Sequence, residues 1–91
     1  MRAIHWTDEA LDQVLRIKEY LAVTSPESAE RVVQNIINKA EQLIQFPKSG
    51  PVYAKAGLPQ VRELLVRPHK LIYELTTTQI RIMAVLHQSQ N

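Results

Sequence analysis

Ala29, Val32, Val33, Ile36, Ile37, Ala40, Leu43 and Ile44 sit at offsets of 0, 3, 4, 7, 8, 11, 14 and 15, which is one stripe along a helix. A stripe this regular commits the chain to a long amphipathic helix whose apolar face must be buried against other elements. Ser25, Pro26 and Glu27 stand before it as N-cap, N1 proline and early carboxylate, three start signals in register. Pro47 is the first residue that must stop it. The spacing predicts a helix of about 20 residues, roughly 30 Å long at 1.5 Å per residue. With 91 residues in all, one modest core is what the chain can build, so the expectation is a single domain over 1–91 spanned by that helix.

A shorter helix precedes it. Thr7 stands at an N-cap position with Asp8 and Glu9 in the first turn, and Ala10, Val14, Ile17 and Leu21 form the apolar stripe, widened by Leu11 and Leu15. The short break at Val23-Thr24 implies an antiparallel helical hairpin. Ala3 to Trp6 is β-prone and reads as an opening strand. Lys48 to Pro59 holds both glycines and has no period, so it reads as an irregular connection.

Three β-type runs follow: Val61 to Arg67, Leu71 to Leu75 and Ile80 to His87. Pro68-His69 and Thr76 to Gln79 are short links, which imply antiparallel pairing. Alternation predicts that Ile80, Ile82, Ala84 and Leu86 face the core and that Arg81, Met83, Val85 and His87 face away. The fold class expected is α+β: an N-terminal strand and a two-helix antiparallel hairpin packed on a small antiparallel β-sheet.

Composition removes several function classes. A net charge of +2 suits acidic partners without reaching the level of a nucleic-acid coat. There is no cysteine, so no disulfide frame or thiolate metal site forms, and a reducing cytoplasm fits. Ile82 to Leu86, the longest apolar run, is far short of the about 20 residues that cross a bilayer. His5, His69 and His87 lack zinc-site spacing, and no phosphate loop or serine elbow is present, so no metal or cofactor is expected.

Several short pieces recur in a known order: Trp6-Thr7 with Ala10, Pro26 with Ala29, Phe46-Pro47 with Ser49-Gly50, Val61-Arg62-Glu63-Leu64, Leu71-Ile72-Tyr73, and Ile80 with Ile82 and Val85-Leu86-His87. As an ordered set they resemble the RelE/ParE superfamily of toxins from bacterial toxin–antitoxin pairs, over nearly the whole chain. Arg62-Glu63-Leu64, the Leu86-His87 ending and the long hairpin look more like the ParE branch. That resemblance implies a cytoplasmic growth inhibitor of plasmid-stabilisation type, neutralised by a cognate antitoxin and directed at DNA gyrase through protein binding. The RelE branch, which cuts messenger RNA in the ribosome, is the alternative. Two departures stand out. ParE-like chains follow the terminal histidine with one or two arginines, whereas Gln88-Ser89-Gln90-Asn91 follows here, which makes a toxin homologue of weakened activity a further alternative. Lys70 stands where the family more often has arginine, and lysine lacks the planar two-pronged grip on phosphate.

Were the chain a ribonuclease, Arg67, Lys70, Arg81 and His87 would be the residues to supply cations and a proton shuttle. The competing reading is that these cations are solvated face residues balanced by Glu63 and Glu74. His69 is expected in a turn and Tyr73 in the core. For partner binding the candidates are Leu11, Leu15 and Tyr20 at the margins of the first helix, with Arg62, Arg67 and Arg81 on the strands.

Overall fold

Thr7 and Ser25 start the two helices, each through a side-chain oxygen that accepts a backbone N–H of the first turn: Ala10 N–H to Thr7 Oγ1 and Ser28 N–H to Ser25 Oγ, both at 3.2 Å. The computed structural model describes residues 1–89; Gln90 and Asn91, the last half of the uncharged ending, lie outside the described residues. In chain order the elements are β1 (Ala3–Trp6), α1 (Asp8–Ala22), α2 (Pro26–Gln42), a single 3₁₀ turn (Ala54–Ala56), β2 (Val61–Val66), β3 (His69–Leu75) and β4 (Gln79–His87). The α+β architecture is the expected one.

The strands form one sheet in the order β1-β4-β3-β2. β2, β3 and β4 pair antiparallel, while β1 runs parallel to β4. The sheet is therefore mixed at one edge. Both helices lie between β1 and β4 in sequence, ample length for the crossover that a parallel pair needs. Thr7 locks this edge, because its hydroxyl also donates to the Ile82 carbonyl at 2.9 Å.

Leu71, Tyr73, Ile80, Ile82 and Val85 on one sheet face meet Ala10, Ile36 and Ala40 from the helices and Leu43 just past the end of α2. Alanine at the helical contact points lets the backbones approach closely. No helix among the described residues is long and apolar enough to cross a membrane.

Three expectations need correction. First, α2 has 17 residues and ends at Gln42. From Leu43 to Gln45 the amides bond three residues back, Leu43 to Ala40 and Ile44 to Glu41 among them, so the stripe continues in position while the α-helix has already tightened. Second, His69 and Lys70 belong to β3, and only Arg67-Pro68 make the turn; His69 is buried at 7% exposure.

Third, the faces of β4 switch along the strand. Tyr73 opposes Ile82 and Ile72 opposes Ala84, so Met83 is an extra residue on β4 and the alternation slips by one at this bulge. Val85, opposite Leu71, and His87, opposite His69, therefore share the helix-facing side. Ala84 and Leu86 take the outer side with Ile72 and Lys70, the reverse of what strict alternation predicts.

The segment after α2 is irregular, as expected, and it also covers a sheet edge. Pro51 C=O accepts Glu63 N–H at 2.9 Å, Tyr53 N–H donates to Val61 C=O at 2.8 Å, and Val52 bridges Arg62. It lies along the first half of the β2 edge.

Candidate functional site

The bulge at Met83 shapes a concavity beside α1. β1 stops at Trp6 opposite Ile82, so the later part of β4 has no strand on that side. Gln13 of α1 takes up part of that edge, its Oε1 accepting Val85 N–H at 2.6 Å. Between the flank of α1 and the far ends of β3 and β4 there remains a cleft of about 440 Å³, with Ile17, Leu21 and Val85 among its apolar lining and Arg16, Tyr20, His69 and His87 among its polar groups.

The two histidines are cross-strand partners. Their rings meet edge-on with 5.6 Å between centroids. Burial lowers the His69 pKa, and the nearby charge of His87 lowers it further. Among the described residues His69 Nδ1 is buried with no hydrogen-bond partner, whereas His87 Nδ1 lies 2.8 Å from Ser89 Oγ. Sequence reasoning missed His69, Gln13 and Arg16 as cleft residues. The signal for His69 was the turn: two residues close it, which leaves His69 on the strand.

A second anchoring point holds the loop after α2. Tyr73 O–H donates to Pro47 C=O at 2.9 Å and accepts Gly50 N–H at 3.2 Å. Arg62 Nη1 donates to Gly50 C=O at 2.7 Å and Lys48 C=O at 3.3 Å. Burial raises the Tyr73 pKa, with the Gly50 hydrogen bond and the Arg62 charge opposing it. Arg62, a partner-binding candidate by sequence, is thus committed to carbonyls of its own chain.

The cations named as a possible ribonuclease set do not converge. Arg81 lies on the outer sheet face, its Nη1 2.9 Å from Glu74 Oε1. Lys70 is on that same face, buried at 5% exposure, its Nζ 3.9 Å from Glu63 Oε1 and 5.6 Å from the Tyr53 ring centroid. Glu74 marks Arg81's position beside β3, four residues from Lys70, or about 13 Å along a strand. His87 points to the helix side and Arg67 sits exposed in the turn. A proton shuttle and its cations must all reach one phosphate group, and these four are divided between a turn and two faces.

Leu11, Leu15 and Tyr20 are 51%, 53% and 79% exposed. Nine residues separate Leu11 from Tyr20, which at about 100° per residue puts them on opposed flanks of α1. Tyr20 belongs to the cleft and the two leucines do not.

The family model described as ParE toxin of type II toxin-antitoxin system, parDE, matches residues 4–91. The chain belongs to the ParE toxin family. It is the toxin component of a type II toxin–antitoxin system, and that family membership implies a cognate antitoxin as partner. Among its relatives, Toxin RelE2 of Caulobacter vibrioides is 26% identical over 91 residues, covering 99% of both chains. Putative toxin Y4kP of Sinorhizobium fredii is 29% identical, over 98% of this chain and 91% of the relative. A solved structure titled Chromosomal ParDE TA system from P. aeruginosa superposes with a TM-score of 0.81 at 24% identity, covering 96% of each chain, which shows that the toxin shares its fold.

Proposed function

We propose that this ParE toxin arrests growth in the cytoplasm by binding DNA gyrase as a protein partner, without phosphodiester chemistry of its own. The observation that carries the reading is the dispersal of Arg67, Lys70, Arg81 and His87, with Arg81 and Lys70 each beside a glutamate on the outer face. A glutamate next to each cation offsets the charge that a phosphorane would need. The cleft beside α1, with apolar walls and the polar groups of Arg16, His69 and His87, suits a protein segment better than a phosphate ester.

The competing reading, ribosome-dependent messenger cleavage, draws on the name of the Caulobacter relative, Toxin RelE2. The two separate in a paired assay of purified toxin. Loss of gyrase supercoiling, with ribosome-bound messenger left intact, supports gyrase binding. Codon-positioned cleavage that disappears in Lys70→Ala and His87→Ala would sink it. Adding the cognate antitoxin restores supercoiling.

A further inference from the structure

The second half of the β2 edge is open. In the ladder with β3, residues at alternate positions turn their backbone groups inward, and Val61 C=O and Glu63 N–H bond instead to the covering segment on the outside. Leu65 has the same outward phase. Its N–H and C=O have no backbone partner among the described residues, and the residue is 43% exposed. The cover cannot reach it, because the chain crosses the edge at Gly50, where a Cβ would collide with the Glu63 carbonyl.

Beside this open stretch runs a groove of about 520 Å³ between α2 and β2. Asn35, Asn38 and Gln42 line it from one flank of α2, with Lys39 among them and Arg67 at the turn. Among the described residues no acidic side chain lines it. Neither Lys39 nor Arg67 joins an ion pair among the described residues. Asn38 Oδ1 accepts from Gln34 Nε2 at 2.9 Å, which leaves its amide hydrogens as the bonding capacity to spare.

We propose that this groove binds an extended acidic peptide segment of a partner protein, added as a strand to the β2 edge at Leu65. A donor and an acceptor side by side on one edge residue match an extended chain and no helix. Lys39 and Arg67 take carboxylates of the segment, and the three side-chain amides bond its peptide groups. A nucleic-acid strand fits less well, since the groove has two cations and no aromatic ring for base stacking. The surface shares no residue with the histidine cleft, so the proposal stands apart from the gyrase reading.

The test uses the full chain and a capped peptide of roughly eight residues, a common strand length, alternating glutamate with valine. Calorimetry is expected to show binding that weakens roughly tenfold in Lys39→Glu and in Arg67→Glu, as for other interfacial charge pairs. Both sites are exposed, and circular dichroism verifies that the variants fold. The counterpart peptide with lysine in place of glutamate is expected not to bind. Hydrogen exchange at the Leu65 amide slows when the acidic peptide saturates the protein. Absence of binding, affinity unchanged by both charge reversals, or unaltered Leu65 exchange overturns the proposal. Displacement of the peptide by polyuridylate at equal site concentration also overturns it, in favour of a nucleic-acid groove.

Discussion

The imidazole of His69 meets that of His87 edge-on, 5.6 Å between centroids, with His69 buried on the floor of the cleft and His87 open to solvent. Burial and then the charge of His87 hold the His69 pKa below the ordinary 6.5.

Stability should therefore fall on the acid side. Above the unfolded pKa of 6.5 both states are neutral at His69 and its contribution is complete. Below it the unfolded chain takes up the proton first, so stability drops until the pH passes the lower native value. Urea midpoints measured from pH 7.5 downward are expected to decline through this window. His69→Phe flattens the decline. His87→Ala reduces it by removing the nearby charge.

Tyr73 joins the core to the loop after α2 through its hydroxyl, which serves Pro47 C=O and Gly50 N–H together. Tyr73→Phe keeps the ring and leaves both groups without that partner. The expected loss is about 1 to 3 kcal/mol in urea unfolding at neutral pH.

The two glycines should respond differently. A Cβ at Gly50 collides with the backbone carbonyl of Glu63, which cannot yield without shifting β2. Gly50→Ala is expected to cost about 1 to 3 kcal/mol by overpacking. Gly57 has open space around it and a φ of 69°, so Gly57→Ala loses about 1 kcal/mol through backbone strain. Gly57→Asn recovers most of that, since asparagine tolerates the left-handed region. Thermal denaturation of the three variants checks the order.

What could be read in advance was what neighbouring residues decide. Thr7 and Ser25 cap helices through atoms three residues away, and both positions were legible. The stripe through Ile44 was legible as a buried face, but Leu43 and Ile44 keep their places on it after the α-helix has ended, so period alone overstated the helix. The bulge at Met83 left no local mark. It exists because β4 must pair with β3 on both sides of it, opposing Tyr73 to Ile82 and Ile72 to Ala84. That one residue decides that His87 faces the helices, and with it the make-up of the cleft.

The most direct test of the central claim is a titration of purified toxin against a fixed amount of gyrase, with supercoiling rate as the readout. Inhibition by binding predicts a rate that falls in proportion to toxin added and levels off at a fixed ratio of toxin to gyrase. Supercoiling unaffected at several-fold excess, together with messenger cut on ribosomes by toxin in trace amount, would contradict it.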